Sequence, residues 1–252
     1  MTVNDFYSMI DSIAPFAEQA DFDNSGILVG SPSADVHRVL FALDVTPRVL
    51  DEAGDLQADL IVTHHPLLFT PRQNITDADY EGMMISRMIR MNISHIAVHT
   101  NLDAARGGIN DVLARVCGLT DVHGSGYVRY GELIHETAAA DYRLILSSAL
   151  SSTVRLFGNP EHYCKKVCVC SGSGSDQWKK ALECGADTFI SGEIKHHHAL
   201  EMINAGLNVF ECGHYATERP GILALADTLQ TQLHDVELNL RIFKSCTDGY
   251  GF

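Results

Sequence analysis

The sequence predicts an α/β protein with two α/β domains, each built on a mixed, mostly parallel sheet. Three observations support this fold class. The chain has 252 residues, of which 46% are hydrophobic and 20% charged, which is typical of a globular protein with one large domain or two modest ones. Apolar runs of strand length alternate with segments of helical period. Between residues 121 and 136 the composition changes to Gly, His, Tyr and charged residues, which indicates a domain boundary.

The first half of the chain alternates strands and helices. Residues 4–13 carry apolar side chains at helical spacing, and a buried strand is predicted at 37–45. The next helix, 46–57, begins with Thr46 as the N-cap and Pro47 at the first helical position. The elements that follow are a strand at 58–65, a helix at 77–92 and a strand at 93–100. Because this order requires right-handed crossovers, it predicts a mostly parallel sheet covered by helices.

A second alternating unit follows the predicted boundary. It comprises the segment 141–150, a strand at 165–172, a helix at 175–185, a strand at 187–192, a helix at 193–206, a strand at 207–214 and a helix at 217–233. That last helix is predicted to begin at Thr217, with Pro220 in its first turn. The tail, 236–245, is expected to return as a final strand. We therefore expect a discontinuous metal-binding domain at 1–125 plus 210–252, and a smaller second domain at 126–209.

Charge and cysteine content limit the partners and the compartment. Asp and Glu outnumber Lys and Arg by 32 to 18, and the resulting net charge of −14 opposes binding to nucleic acid. The seven cysteines are odd in number and scattered, which favours a reducing compartment over a disulfide framework. Cys168 and Cys170 are interpreted as buried strand residues. The sequence has no membrane-spanning apolar run and no signal-peptide pattern, so we expect a cytoplasmic protein that does not engage a membrane.

Polar side chains follow three of the predicted strands at the points where those strands end. They are His64 and His65 after LIVT, His99 and Asp103 after IAV, and His214 and Glu218 after VFECG. Ligands of open α/β sheets bind beyond the carboxyl ends of the strands, so neighbouring strands would bring these side chains together. Adjacent residues of a strand point to opposite sides, so His64 and His65 would each serve a different ion of a pair.

Imidazole nitrogens together with carboxylate oxygens, and no thiolate, suit Zn, Mn, Fe, Co or Ni. Two such ions a few ångströms apart can clamp the attacking and leaving oxygens of a hydrolysis. A single histidine at a strand end is more often a structural residue held by a hydrogen bond, so the prediction depends on several occurring together. The sequence contains no Gly-x-Ser-x-Gly elbow and gives no reason to pair a Cys with a His as a nucleophile.

Several motifs of the chain resemble those of the NIF3-like family, whose members are often named GTP cyclohydrolase 1 type 2 homologues. The motifs are LIVTHHPLLF, AVHTNLDAARGGIND, FISGEIKHHHALEM and CGHYATERPGI, with ALDVT at 42–46 and DNSGILVG at 23–30. The resemblance covers nearly the whole chain. It implies the NIF3-like fold, a dinuclear divalent-metal site at the carboxyl ends of strands, and a toroidal homohexamer. The family often has an aromatic residue before the DN of the first motif, where Phe22 stands here.

Carried over by motif position, the resemblance implies five metal ligands: His64, His65, Asp103, His214 and Glu218. Glu218 is expected to bridge the two ions and to be a catalytic residue. His99 ranks below the five, as an occasional ligand or a residue that supports them. His197 falls where related sequences commonly have a histidine, and we interpret it as a proton shuttle. Its neighbours His196 and His198 are expected to be solvated.

These features predict a metal-dependent hydrolase that acts on a nucleotide-like or phosphorylated small molecule and assembles as a homo-oligomer, expected to be a hexamer. Two alternatives stay open: a metal-binding or regulatory protein whose ions stabilise the fold without turnover, and a ring that handles nucleic acid, which the net charge opposes. The Gly/Ser loop at 171–175 can hold a phosphate at the N-terminus of the next helix, although a plain turn is the simpler interpretation.

Overall fold

The computed structural model describes residues 1–234 and 240–249, which fall into two compact units. Unit 1 is Met1–Ala105 with Ile222–Phe252, and unit 2 is Arg106–Gly221. Each unit contains one β-sheet with helices, so the predicted α/β class with two mixed sheets is confirmed. Within the described part of the chain, every helix is too short or too polar to cross a membrane.

The helices and strands alternate along the chain. The strands are β1 (Gly26–Val29), β2 (Arg38–Ala42), β3 (Leu60–Thr63), β4 (Ser94–Ala97), β5 (Thr120–His123), β6 (Arg129–Ala138), β7 (Arg155–Phe157), β8 (Tyr163–Cys170), β9 (Thr188–Ser191), β10 (Asn208–Glu211) and β11 (Arg241–Lys244). The helices are α1 (Val3–Ile13), α2 (Pro47–Asp55), α3 (Tyr80–Arg90), α4 (Thr100–Ala104), α5 (Ile109–Val116), α6 (Ala139–Leu150), α7 (Lys179–Glu183), α8 (His196–Asn204) and α9 (His214–His234).

The sheet of unit 1 has the strand order β1-β4-β3-β2-β11. β4, β3, β2 and β11 run parallel, whereas β1 is antiparallel to β4. Parallel strands end at the same edge of a sheet, so the residues that follow β2, β3 and β4 lie close together. These residues are Asp44, His64, His65 and His99.

The core of unit 1 explains why its strands read as continuous apolar runs. All four residues of β3 are buried, because α2 and α3 contribute Val49, Leu50, Met84 and Met88 to the core that packs on the sheet. Burial of each such side chain contributes about 1.5–3 kcal/mol. The predicted start of α2 is confirmed, since the Thr46 hydroxyl accepts a hydrogen bond from the backbone N–H of Val49 at 3.2 Å and Pro47 opens the helix.

The sheet of unit 2 has the order β5-β6-β8-β9-β10-β7 and mixes directions. β8, β9 and β10 are parallel, whereas β5, β6 and β7 pair in antiparallel fashion. Alternate residues of β8 enter two separate cores: Val167 and Val169 pack in one, and Cys168 and Cys170 pack beside Trp178 in the other. The interpretation of the two cysteines as buried strand residues is therefore confirmed, and all seven cysteines are free thiols.

The structure corrects several predicted boundaries. The stretch 121–136 is not a domain boundary, because most of it belongs to β5 and β6 of the second sheet, whose exposed side chains account for its polar composition. The units divide after residues 105 and 221 instead of near 125 and 210. The reason is that β5 pairs with β6 and β10 pairs with β9, so 106–125 and 210–221 belong to unit 2. The segment 141–150 is helical.

The end of β10 is also reached earlier than predicted, and the helix after it begins at His214 instead of Thr217. Gly213, with φ of +89°, turns the chain between the two elements. The hydroxyl of Thr217 lies 3.0 Å from the carbonyl oxygen of Gly213, the backbonding typical of a helix interior, so Thr217 is not an N-cap. Pro220 consequently lies inside α9. β11 confirms part of the predicted last strand, and residues 235–239 lie outside the described residues.

Candidate metal centre

Three histidines of unit 1 form a cluster at the carboxyl edge of its sheet. His64 and His65 directly follow β3, and His99 lies two residues beyond β4, at the start of α4. The ring centroids of His64 lie 5.0 Å from those of both His65 and His99, and those of His65 and His99 lie 5.6 Å apart. His64 is completely buried, whereas His65 and His99 are partly exposed. The parallel register of β3 and β4 therefore brings the three rings together.

Each of these rings has its Nδ1 atom beside an oxygen. Nδ1 of His64 lies 2.9 Å from the carbonyl oxygen of Val98, and Nδ1 of His65 and of His99 each lie 2.8 Å from a carboxylate oxygen of Asp44 and Asp23. A carbonyl or carboxylate oxygen only accepts a hydrogen bond, so Nδ1 is the donor in all three rings. The lone pair of a neutral imidazole is then on Nε2, which is the arrangement found where histidines bind metals.

Asp103, on α4, adds a carboxylate to this group. Its Oδ1 atom lies 3.6 Å from Nε2 of His64, so a nitrogen and an oxygen donor face each other. The side chain of Asp103 is largely buried, and α4 fixes it four residues after His99. Unit 1 thus brings together four of the six strand-end residues identified in the sequence.

The carboxylate of Asp23 holds the ring of His99 in place. It accepts hydrogen bonds from Nδ1 of His99, the backbone N–H and hydroxyl of Thr100, and the hydroxyl of Ser25. Burial of Asp23 favours its neutral form, but the hydrogen bonds from His99 and Thr100 outweigh this effect and hold the pKa of Asp23 well below its usual value. Asp23 is therefore a permanent anion that keeps His99 in one orientation.

Unit 2 holds the other two predicted ligands. His214 and Glu218 occupy the first turns of α9, one turn apart, and Nε2 of His214 lies 3.0 Å from Oε2 of Glu218. Nδ1 of His214 lies 3.0 Å from Oε1 of Glu193, the residue that follows Gly192 after β9. The hydroxyl of Ser173 donates a hydrogen bond to Oε2 of Glu193. Ser173 and His214 together lower the pKa of the Glu193 carboxyl, although the partial burial of Glu193 acts to raise it. Glu193 thus holds His214 as Asp23 holds His99.

The Gly/Ser loop packs against this pair. A Cβ atom at Gly172 would lie 2.0 Å from Oε1 of Glu218 and 3.2 Å from Nε2 of His214, so a side chain there would displace Glu218 or the loop. The backbone N–H of Gly172 donates to the hydroxyl of Thr217 at 3.1 Å, which ties the loop to α9. The loop, which includes a turn at residues 172–173, therefore contacts the His214 and Glu218 pair through Gly172.

The histidine triplet lies at the start of α8. His196 and His197 are exposed, as a proton shuttle in contact with solvent would require of His197. His198, expected to be solvated, is mostly buried instead, since its Nδ1 lies 3.2 Å from the hydroxyl of Ser175 and its Nε2 lies 3.5 Å from Asp176. The ring of His197 stacks edge-on against His198 with centroids 4.2 Å apart. The rings of His197 and His198 therefore contact each other instead of fanning apart around the helix as their spacing had predicted.

The chemistry of the donors in unit 1 fits a divalent metal ion. One ligand atom from each of His64, His65 and His99 lies within 4.8 Å of the other two. Nitrogens that share an ion at about 2.0–2.1 Å are roughly 3–4 Å apart, so small side-chain adjustments would complete coordination. Imidazole nitrogen with carboxylate oxygen is a donor set for Zn, Mn, Fe, Co or Ni. The residues present therefore match the metal that the sequence predicts.

Three residues that support the histidines were not assigned a role from the sequence. Asp23, Asp44 and Glu193 all lie in the motifs that resemble those of the NIF3-like family, and Glu193 precedes the histidine triplet. Each is a carboxylate just after or just before a strand, and this position is the one feature of the sequence that could have identified these residues. What it could not offer is the pairing, because each acidic residue is 21 or more positions away from the histidine it holds.

The fold and the site define an α/β protein of two units whose clustered histidines and carboxylates can bind a divalent metal. The sequence also matches the family described as Duf34/NIF3 (NGG1p interacting factor 3) over residues 1–249, so the chain belongs to this family. The resemblance noted in the sequence is thereby confirmed.

Individual relatives agree with this assignment. A Clostridium perfringens protein named GTP cyclohydrolase 1 type 2 homolog is 31% identical over 262 residues, which cover 100% of both chains. The crystal structure of a Staphylococcus aureus hypothetical protein superposes with a TM-score of 0.95 at 26% identity, covering 100% of this chain and 98% of that one. A Bacillus cereus protein related to NIF3 superposes with a TM-score of 0.94 at 22% identity, covering 100% and 99%, which shows the shared fold.

Proposed function

We propose that this protein binds two divalent metal ions per chain and hydrolyses a small nucleotide-like or phosphorylated molecule. The observation that carries the proposal is the histidine cluster of unit 1. Each of its three Nδ1 atoms lies beside an oxygen, and one ligand atom from each ring lies within 4.8 Å of the other two. Histidines that serve only as structural residues have no need of this common orientation.

The residues that would hold the ions are those that the family resemblance implies: His64, His65, Asp103, His214 and Glu218. His99 stands beside His64 and His65 and would complete or support their coordination. When bound, such ions supply Lewis-acid activation of water and of the group that is cleaved. Glu218, as the bridging carboxylate, would act on both ions, and its close contact with Gly172 limits where its side chain can go.

Partial exposure of the donors supports an enzyme over a purely structural metal site. The side chains of His65 and His99 are 25% and 19% exposed, so solvent reaches part of both residues. Structural metal sites are usually closed by protein ligands, whereas catalytic sites keep one open position. This difference favours hydrolysis over the alternative of a non-catalytic regulatory protein.

The chain's own residues would orient the donors and move protons. Asp44, Asp23 and Glu193 fix the rings of His65, His99 and His214, respectively. His197 is exposed to solvent, and it is the residue that we propose as the proton shuttle. Replacing His197 should leave the metal content unchanged and lower the turnover.

The substrate class and the assembly come from the relatives. Proteins that carry the name GTP cyclohydrolase 1 type 2 homolog are similar over the whole chain, so a nucleotide is the first substrate to test. The homohexamer is likewise proposed from the family resemblance. The net charge of −14 supports a small-molecule substrate over nucleic acid.

Elemental analysis of tag-free protein tests the metal site. We expect about two ions per wild-type chain and almost none in Glu218→Ala, because one bridging carboxylate serves both ions. Glu218→Gln keeps the volume of this buried side chain and should also lose the metal, which separates loss of a ligand from a folding defect. His37→Ala, an exposed histidine remote in sequence from every proposed ligand, should keep both ions.

The results separate the alternatives. A Glu218 variant with an unchanged metal count would contradict the proposed ligand set, and loss of only one ion would contradict the bridge. Wild-type protein without metal after incubation with Mn, Zn, Fe or Co would overturn the proposal altogether. If both ions bind but nucleotides and phosphoesters are not hydrolysed with any metal, the non-catalytic alternative takes its place.

A further inference from the structure

A cavity of about 660 Å³ opens on the surface of unit 1. One wall is the segment Phe22–Asn24 that precedes β1, and the other is the segment Leu68–Ile75 that follows β3. This volume is in the range of small-molecule sites. Neither segment contributes a ligand to the proposed metal site, although both adjoin residues that do.

Two phenyl rings dominate the cavity. Phe22 is 67% exposed and Phe69 is 44% exposed, and their centroids lie 6.4 Å apart with the rings tilted by 53°. Exposed aromatic side chains that line one concave surface are typical of a binding site. They leave apolar surface area in contact with water, and a bound ligand would cover that area. Because the rings are tilted, a flat ligand can stack on one of them and contact the other at an angle.

Two residues that line the cavity contact His99 of the histidine cluster. The ring of Phe69 meets that of His99 edge-on, with centroids 6.2 Å apart and an angle of 81°. Asp23, which lines the cavity, is also the residue that holds Nδ1 of His99. A ligand stacked on the phenyl rings would therefore lie directly beside His99.

The charges around the cavity decide which part of a ligand fits. Two charged residues line it, and both are paired: Asp23 with His99, and Arg72 with the carboxylates of Asp79 and Glu81. A guanidinium held by two carboxylates has little charge left for a phosphate. The remaining polar lining includes the amides of Asn24, Gln73 and Asn74, which can donate and accept hydrogen bonds at the edge of a neutral ring.

We propose that this cavity binds the heteroaromatic ring of the substrate, a nucleobase, which stacks on Phe22, packs against the tilted ring of Phe69 and turns its polar edge toward the amides. This assignment depends on the proposed function in one respect: the rest of the same substrate molecule must reach the metal ions. A planar ring with polar edges matches both features of the lining, because its face can pack on the phenyl rings and its edge can form hydrogen bonds with the neutral amides. A free phosphate or a carboxylate meets neither.

Two probes that differ only in the base measure this contribution. Guanosine 5′-monophosphate and ribose 5-phosphate are titrated calorimetrically into the purified protein, and the metal content of the same sample is counted. Both probes carry the same sugar phosphate, so the difference between their affinities measures the contribution of the base. Because the base can stack, we expect the nucleotide to bind about 10-fold tighter or more. Phe22→Ala should remove most of this preference and leave binding of ribose 5-phosphate unchanged. Phe22→Leu, which keeps an apolar side chain but no ring, should behave in the same way.

The control is Tyr163→Ala, which removes an aromatic side chain of similar exposure, 63%, from unit 2. It should keep the full preference for the nucleotide. Equal binding of the two probes by the wild type, or equal loss in the Phe22 and Tyr163 variants, would overturn the proposal. If Phe22→Leu keeps the preference, a general apolar contact replaces stacking and the nucleobase assignment fails.

The metal count separates this proposal from the proposed function. A preference for the nucleotide in wild-type protein without metal would leave the nucleobase site in place and overturn the metal centre. If the wild type contains two ions per chain but binds the two probes equally, the metal centre stands and the nucleobase site is overturned. The Phe22 variants should retain the metal of the wild type, because Phe22 is not a ligand.

Discussion

Replacing Gly172 with alanine tests how tightly the Gly/Ser loop is fitted to Glu218. The new Cβ would lie 2.0 Å from Oε1 of Glu218, about 1.4 Å short of ordinary van der Waals contact, and Glu218 is buried. Its side chain must leave its rotamer or the loop must move, at a cost of about 0.5–1.5 kcal/mol. The φ of +55° adds about 1–2 kcal/mol for a residue with a Cβ. We expect the variant to lose about 2–3 kcal/mol and to bind less metal, although no ligand is removed.

The matched control is Gly126→Ala. Gly126 also lies in unit 2 and has a φ of +59°, but its Cβ would have nothing within 4 Å, so this variant carries the backbone penalty without the clash. Urea denaturation measures the free energy of unfolding of both variants, and elemental analysis measures their metal per chain. We expect Gly126→Ala to lose about 1–2 kcal/mol and to keep its metal. If the two variants agreed in stability and metal content, the contact between Gly172 and Glu218 would have no bearing on the site.

Three further predictions concern pH, charge and assembly. Burial lowers the pKa of His95 to about 3, so between pH 6.5 and 4.5 the unfolded chain takes up a proton that the folded chain does not, and unfolding becomes easier by about 1.4 kcal/mol per pH unit. His95→Gln should remove this slope, and an unchanged slope in urea titrations at several pH values would refute the assignment. Asp111→Ala leaves the buried guanidinium of Arg129 without its carboxylate and should cost about 3–5 kcal/mol, more than Arg129→Met; equal losses in urea denaturation would contradict this. Light scattering should give six chains of 27.6 kDa, about 166 kDa, whereas a monomer mass would count against the hexamer.

The elements of unit 1 were predictable because their signals are local. Thr46 and Pro47 mark the start of α2, and the apolar run before His64 marks a strand buried on both faces. Unit 2 was harder to read from sequence. β6 carries polar side chains on its exposed positions, so its composition resembled a domain boundary. Its partner β8 is separated from it in the sequence by α6 and β7, so that pairing is recognised only through hydrogen bonds between distant segments. Local pattern thus predicts elements better than their pairing.

The candidate site divides in the same way. Histidines and carboxylates at strand ends stand out in the sequence because strand ends of an α/β sheet are where ligands bind. Their supporting oxygens do not stand out. The acceptor for His64 is the backbone carbonyl of Val98, which any residue type would supply, and the partner of His214 is Glu193, a residue of another strand end. Neither relation leaves a trace in local spacing.

The two units use one arrangement to prepare their donors. In unit 1 an oxygen fixes Nδ1 of each histidine, and in unit 2 Glu193 does the same for His214 while Nε2 faces Glu218. Folding therefore sets both the tautomer and the direction of each ring, and a cation would meet nitrogens that have already lost their rotational freedom. Strand ends supply the ligands, but the acceptors from other strands and loops decide which ring atom is offered. This explains why the geometry of the site depends on residues that would never touch the metal.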